Sequence, residues 1–174
     1  MNRKSVYIIV ALSVGISALL FAQTIAPVTI SGIKVLKRSK QITESSNVTM
    51  TDFRSPLKLT VGDIKSGLLH ITLPVSGLEK FYDTREHVTS SSGLHFAWIE
   101  FTTDKSDYLS LVNTDTGDIV RFIYATKAGN INVKYLGKLQ LKKGWNFCSF
   151  KTGTGDTLEN YYRKGYIWTF DMIQ

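Results

Sequence analysis

Cysteine, proline and histidine are scarce in this chain of 174 residues. It contains one cysteine, Cys148, three prolines and three histidines. A single thiol excludes an intramolecular disulfide and any metal site built from several cysteines. With 13 glycines and few prolines the composition is not that of a collagen-like or low-complexity chain, and 43% hydrophobic residues suffice for a folded core. The length fits one globular domain.

The common signatures of hydrolases and nucleotide-binding proteins are also missing. The sequence has no G-x-S-x-G, no H-E-x-x-H and no P-loop. His70, His87 and His95 do not follow the spacing of metal ligands on one element, so we interpret them as structural or surface residues. Cys148 lies inside the strand-like segment FCSF and is interpreted as a buried, inert thiol. We therefore predict a protein that is not an enzyme and has no metal or cofactor.

Two acidic stretches are the only hint of a cation or glycosidase site. TTDKSDY and NTDTGDI carry Asp104, Asp107, Asp115 and Asp118. Such carboxylates could meet at strand ends as a calcium site or flank a sugar, but Asp is commonplace in turns and no pair stands out by spacing. Turn formation is the favoured interpretation.

The N-terminus predicts export. Ser5 to Ile33 carry no charge and follow Arg3 and Lys4, and the strongly apolar part, Val6 to Ala22, is 17 residues long. This layout is typical of a Sec-type signal peptide, residues 1–22, cleaved after Ala22. An uncleaved anchor is the alternative, because 17 apolar residues reach the lower limit for crossing hydrocarbon. Both readings predict an extracytoplasmic protein, periplasmic or secreted, and the lack of a cysteine near this segment excludes a lipid anchor.

Positive charge is concentrated at both ends of the chain. Residues 23–40 contain four basic and no acidic side chains, 41–133 contain 8 basic and 11 acidic, and 134–174 contain 7 basic and 3 acidic. An acidic middle argues against a nucleic-acid partner. We divide the chain into residues 1–22, a basic segment at 23–40 and a single β domain at 41–174.

Short runs of alternating apolar and polar residues recur about every ten residues, and helical periodicity is almost absent. This pattern predicts an all-β protein, an antiparallel β-sandwich of jelly-roll or Greek-key type, with a lipocalin-like up-and-down barrel as the alternative. The predicted strands are 28–36, 47–53, 57–61, 68–75, 94–101, 108–112, 118–126, 131–136, 138–143, 147–150 and 166–173.

Three connections between the predicted strands have recognisable turn chemistry. Asn113 to Gly117 and Ala128 to Asn130 are each predicted to join two strands as a hairpin. Ser76 to Gly93 is too long for an ordinary loop and is predicted to hold one helical turn around Leu78 to Tyr82.

Aromatic side chains are the strongest candidates for a binding surface. The segment NYYRKGYIWTF places Tyr161, Tyr162 and Tyr166 beside Arg163. Exposed on a β-surface, these rings would form an apolar platform with a polar rim for a sugar or a protein. Tyr82 and His87 of the 76–93 loop are the other candidate binding residues.

One segment resembles a known group of proteins. FIYATKAGNINVKYLGKLQLKKGWNF, within Asp118 to Phe150, is similar to the paired strands and L-x-x-GWN turn of small, uncharacterised exported β-proteins of bacterial cell envelopes. The resemblance covers roughly a fifth of the chain and implies a β-fold and an envelope location. In physical terms Gly144 supplies a turn dihedral, Trp145 plugs the end of the core and Asn146 bonds the turn backbone.

These observations predict an exported, non-enzymatic binding or structural module of the bacterial envelope, with a glycan or protein ligand. A lipocalin-like carrier of a small apolar ligand is the alternative, which requires a hollow interior lined by Trp98, Tyr124, Trp145 and Trp168. A hydrolase is the third possibility, and it needs two carboxylates, or a histidine and a carboxylate, that converge in a cleft. Convergence of His70, His95 and Glu100 would overturn the prediction that the protein is not an enzyme.

Overall fold

The structure is a computed structural model that describes residues 25–37, 40–52, 56–84, 88–105, 108–134, 136–151, 153 and 155–170. It contains fifteen strands in the described residues: β1 Val28–Lys37, β2 Lys40–Gln41, β3 Ser46–Thr51, β4 Lys58–Lys65, β5 Leu68–Leu73, β6 Val88–Ser90, β7 Phe96–Thr103, β8 Tyr108–Asn113, β9 Asp118–Ile119, β10 Arg121–Ala125, β11 Gly129–Val133, β12 Gly137–Leu141, β13 Gly144–Cys148, β14 Gly155–Asp156 and β15 Tyr166–Phe170. A 3₁₀ turn spans Glu79–Phe81 and one short helix, α1, spans Leu158–Arg163.

Period-two alternation produces the strands, as β5 illustrates. Leu69, Ile71 and Leu73 are buried, whereas His70 and Thr72 between them face outward. Successive side chains of a strand point to opposite faces, so this spacing places every apolar residue on one side. The all-β prediction is confirmed, and the 3₁₀ turn lies where the sequence predicts a helical turn.

Seven strands close into a barrel in the order β7, β3, β4, β5, β1, β15 and β8, and β8 pairs again with β7. The predicted sandwich is not confirmed, and the barrel fits the alternative prediction. The pattern is not simply up-and-down, because β15 runs parallel to β1, with Val35 beside Trp168. Alternation specifies which face of a strand is buried but not whether the two edges of the sheet meet, which explains the difference.

The interior of the barrel is filled with side chains. Trp168 is fully buried and packs against Phe101 and Phe122, at ring-centroid distances of 6.1 and 5.5 Å. The barrel wall is tight at Gly62, where an added Cβ would lie 1.9 Å from the carbonyl oxygen of His70 on β5. Other residues of this first core are Val48, Met50, Ile64, Leu69, Ile71, Leu73, Ile99, Leu109 and Leu111.

The sheet branches at β7. Residues Phe96 to Ile99 pair with β10, whereas Phe101 and Thr102 pair with β8. From the branch, β10, β13 and β14 extend the sheet beyond the barrel.

A separate three-stranded sheet of β12, β11 and β6 lies against the outer face of this extension. Ile131, Val133, Leu139 and Leu141 of the small sheet share a second core with Phe96, Trp98, Ile123 and Cys148. This second layer explains why Phe122 to Ala125 are buried without alternation, since both faces of β10 are covered.

Two local predictions about connections have different outcomes. The turn at Asn113 to Gly117 does join β8 to β9, and the side chain of Asn113 accepts from the amides of Asp115 and Thr116 at 3.1 Å. The second predicted hairpin, at 128–130, is wrong. Strand β10 is flanked by β7 and β13, so the chain crosses there to the other sheet and β11 pairs with β6 and β12.

Candidate functional site

A cleft of about 710 Å³ opens along β13 and β14, the edge of the extended sheet. Val28 at the start of β1 and Leu158 at the start of α1 contribute to its lining, and Gln140 to Lys142 continue the lining onto the small sheet. This volume falls within the ordinary range for small-molecule sites. The cleft is therefore our candidate functional site.

Two half-buried aromatic rings, Trp145 and Phe147, are part of the apolar lining of the cleft. Trp145 donates its indole Nε1–H to the carbonyl oxygen of Pro74 at 2.8 Å and meets Tyr124 edge-on at a centroid distance of 5.5 Å. Phe147 meets the buried Phe122 edge-on at 5.2 Å. Both rings are held by the core behind them, so their exposed faces are positioned before any ligand arrives.

The turn before Trp145 fixes its place at the cleft. Gly144 has a φ of +93°, a conformation that favours glycine. The side chain of Asn146 accepts from the amide of Lys142 and donates to the carbonyl oxygens of Lys142 and Gly144, each at 2.8 Å. A longer bond of 3.4 Å joins it to the carbonyl oxygen of Ile123 on β10. The turn roles predicted for Gly144 and Asn146 are confirmed.

The polar side of the cleft is built around Asp156. Its carboxylate accepts from Lys164 Nζ at 2.8 Å, from Asn160 Nδ2 at 2.7 Å and from the amide of Thr157 at 2.8 Å. These bonds, that of Lys164 first, lower the pKa of Asp156 to about 2, so it is charged at neutral pH. The hydroxyl of Thr157 accepts from the amide of Asn160 at 3.2 Å and caps α1.

The predicted aromatic platform around Tyr161 is not present as one surface. Tyr161 is fully buried, donates to the carbonyl oxygen of Phe147 at 3.3 Å and meets Tyr166 edge-on at 4.9 Å. Tyr162 is half-buried, and its hydroxyl accepts from the indole of Trp168 at 2.9 Å. Arg163 is exposed and paired with Glu159. Tyr161 and Tyr162 lie in a helix and not in a strand, and the helix directs Tyr161 into the core.

Tyr166 belongs to a buried polar cluster that was not predicted. Its hydroxyl and that of the fully buried Ser149 both donate to the carboxylate of Asp118. Burial and the bond to Asp118 raise the pKa of Tyr166 to about 12. No pattern in the sequence joins these residues, because they come from β9, β15 and the loop after β13. The cluster ties the end of the barrel to the extended sheet.

The other candidate binding residues lie away from the cleft. Tyr82 is half-buried and stacks on the exposed ring of His95, with centroids 5.6 Å apart and planes at 15°. Burial raises the pKa of Tyr82. His87 lies outside the described residues.

The structure separates His95 from Glu100, two of the three residues whose convergence would overturn the non-enzyme prediction. His70 faces outward from β5 and bonds the hydroxyl of Ser31 at 2.8 Å. His95 and Glu100 are five positions apart in extended chain, a separation of roughly 16 Å. Within the described part of the chain, no group of three His, Cys, Asp or Glu residues could hold a metal ion.

Two of the carboxylates weighed as a calcium site, Asp104 and Asp118, and the thiol of Cys148 have local roles. Asp104 accepts from the hydroxyl of Ser46, which lowers its pKa, while Asp118 belongs to the buried cluster and Asp107 is outside the described residues. Cys148 is fully buried, and burial raises the pKa of its thiol to about 12. A thiol in this state is protonated and unreactive, in agreement with the inert thiol that we predict.

Comparisons with protein-family models, with curated proteins and with solved structures found no match to this chain. Among the residues that the structure describes, there is no helix with the length and apolarity needed to cross a membrane.

Proposed function

We propose that this chain is an exported, non-enzymatic binding module of the bacterial cell envelope and that the cleft along β13 and β14 binds a glycan. The observation that carries the proposal is the pair of positioned, half-exposed rings, Trp145 and Phe147, beside hydrogen-bonding groups. Sugar rings have apolar faces and hydroxyl edges. An aromatic surface bordered by Gln140, Lys142 and Asp156 offers contacts for both.

Export is supported by the apolar segment after Arg3 and Lys4, which has the order of charge, apolar run and small residue typical of a signal peptide. The envelope location is further supported by the resemblance in the GWN turn, whose structural roles at Gly144 and Asn146 this chain fulfils. A glycan is the preferred ligand because polysaccharides are abundant outside the cytoplasm and match the mixed lining of the cleft.

Tryptophan fluorescence tests the proposal directly. Trp168 is fully buried and Trp98 is 8% exposed, whereas Trp145 is half-buried and borders the cleft. Protein purified after expression of the full chain would be titrated with chitohexaose, cellohexaose, maltohexaose and an oligogalacturonate, with iodide as quencher. We expect at least one of them to protect Trp145 from iodide in a saturable manner.

Two matched variants assign the response. Trp145→Phe should remove the ligand-dependent change, while Trp98→Phe, which alters the second core, should retain it. Binding that leaves the protection of Trp145 unchanged would place the ligand elsewhere, and no response to any of the four oligosaccharides would refute a glycan site at the cleft.

A carrier of a small apolar ligand is the second candidate, favoured by the closed barrel and by Leu141, Phe147 and Leu158 in the cleft. The described core does not provide the hollow interior that this function would use, since Trp168 fills the barrel and Trp98 lies outside it. Protection of Trp145 by lauric acid, with none by the oligosaccharides, would favour the carrier.

A further inference from the structure

The chain from Ile119 to Gly155 contains seven basic residues and no acidic residue. This segment supplies β11 and β12, and the third strand of the small sheet, Val88–Ser90, adds no carboxylate. The whole of the small sheet is therefore free of negative side chains. Ordinary protein surfaces intersperse both signs of charge.

The rest of the described surface behaves differently. Ion pairs there join Lys65 to Asp63, Lys105 to Glu44 and Lys164 to Asp156, at 2.6 to 2.8 Å. Cations on the barrel and beside α1 are thus partly neutralised by neighbouring carboxylates. Lys138 on β12 and Lys142 just after it have no carboxylate on the strands of the small sheet. Asp156, which lines the cleft beside Lys142, is itself paired with Lys164.

The pairing register determines which side chains share the solvent face of the small sheet. Ile131, Val133, Leu139 and Leu141 face the second core, so the residues between them point to solvent. On that face Asn132 lies opposite Lys138 and Thr89, and Asn130 lies opposite Gln140. Amide, hydroxyl and ammonium groups therefore stand side by side on neighbouring strands, roughly 5 Å apart.

We propose that this face, which we call the lysine–amide face (Thr89, Asn130, Asn132, Lys138, Gln140 and Lys142), is an interaction surface for an anionic polysaccharide. Ammonium groups attract carboxylate or sulfate substituents, and side-chain amides both donate to and accept from sugar hydroxyls. Among the described residues this face presents no aromatic ring on which a nucleic-acid base could stack. The choice of a polysaccharide as partner rests on the proposed function.

The lysine–amide face is continuous with the cleft, because Gln140 and Lys142 belong to both. A polysaccharide chain seated on Trp145 and Phe147 would thus pass from the cleft onto the small sheet. The cleft supplies the apolar contact and the face selects for negative charge.

Binding to polygalacturonate, with dextran as a neutral comparison, tests the proposal. We expect polygalacturonate to bind more tightly than dextran and its affinity to fall as NaCl is raised from about 50 to 300 mM, because the attraction is screened. Lys138→Gln with Lys142→Gln should weaken binding roughly 3- to 30-fold at the lower salt concentration. Both lysines are exposed, so the variant should fold, which circular dichroism would verify.

The matched control is Lys40→Gln with Lys58→Gln, which removes the same charge from exposed positions on β2 and β4. It should change the affinity by less than about twofold. Equal weakening by both double variants would mean that net charge and not this face attracts the polymer, and would overturn the proposal. So would equal affinity for dextran and polygalacturonate.

Titrations with other ligands distinguish a polysaccharide from a membrane or a nucleic acid as the partner. They also distinguish failure of the lysine–amide face from failure of the cleft. Tighter binding to vesicles of phosphatidylcholine and phosphatidylglycerol, or to oligodeoxythymidine, with the same dependence on Lys138 and Lys142, would show that the assigned partner class is wrong. If neutral oligosaccharides protect Trp145 but the Lys138→Gln, Lys142→Gln variant binds polygalacturonate as tightly as the unaltered protein, the lysine–amide face is rejected and the cleft is kept. If the same variant weakens polygalacturonate binding but no saccharide protects Trp145, the cleft is rejected and the lysine–amide face is kept.

Discussion

Asn146 holds together the point where the chain passes from the small sheet to the extended sheet. It is 5% exposed, and three of its hydrogen bonds are 2.8 Å long while a fourth is 3.4 Å. We predict that Asn146→Ala strongly destabilises the fold. Each well-made bond contributes about 1 kcal/mol net, so the three short bonds give a loss of roughly 3 kcal/mol in the free energy of unfolding.

Urea denaturation followed by tryptophan fluorescence would measure this loss. In thermal unfolding the same loss corresponds to a melting temperature lower by about 10 °C for a domain of this size. Asn146→Asp keeps the acceptor that faces the amide of Lys142 but turns an oxygen toward two carbonyl oxygens, so it should destabilise at least as much as alanine. Asn132→Ala, at an exposed position of β11, is the control and should cost less than about 0.5 kcal/mol.

A loss below about 1 kcal/mol for Asn146→Ala would refute the reasoning, because water would then satisfy the turn as well as the side chain does. An innocuous Asn146→Asp would refute the assignment of the amide nitrogen as the donor to Lys142 and Gly144.

Two further predictions concern groups whose pKa is raised. Tyr166 is favoured in its neutral form, so stability should be fully present below pH 10 and should be lost as the pH rises toward 12. Tyr166→Phe should cost about 1–2 kcal/mol at pH 7, since Asp118 loses a donor, and should show a smaller loss between pH 10 and 12; an unchanged alkaline loss in urea titrations would contradict this. The thiol of Cys148 should react with an aromatic disulfide reagent at pH 8 at least roughly 10³-fold more slowly in the native protein than in urea. Cys148→Ser gives the blank for that assay, and native labelling at the rate of a free thiol would show that Cys148 is accessible.

The strands were predictable because their pattern is local. Leu69, Ile71 and Leu73 identify the inner face of β5 without reference to any other strand. Turn residues such as Asn113 and Gly117 likewise act over four or five positions. These elements follow from the sequence alone.

The choice between the sandwich and the barrel was not predictable in the same way. Closure depends on two residue pairs between β7 and β8 and on the parallel alignment of β15 with β1, both set by the assembled sheet. The burial of β10 on both faces produces a continuous apolar run, which a short sequence window does not distinguish from other buried segments. The hairpin predicted at 128–130 is wrong for a separate reason. The turn residues there are recognisable, but a turn signal does not show to which sheet the next strand belongs.

The candidate site was predictable in part. The motif around Gly144 and Asn146 gave the turn, but the cleft arises because β13 and β14 lie at an edge, which only the topology reveals. The sequence does not reveal that Tyr161 and Tyr162 lie in a helix, because this helix spans only six residues and has no periodicity to recognise. The sequence signal for this helix is its start, where Thr157 is the N-cap and Glu159 lies in the first turn.

The parallel pairing of β1 with β15 also determines when the barrel can close. Strand β15, the last described strand, lies between β1 and β8, so this side of the barrel closes only after β15 has been made. Until then the barrel is open, and Trp168, which fills its centre, is absent from the core. A chain that ends before β15 would leave the facing edges of β1 and β8 without their partner strand. Unpaired strand edges are sites where strands of other chains can add, so the last strand of the barrel also protects the protein from edge-to-edge aggregation.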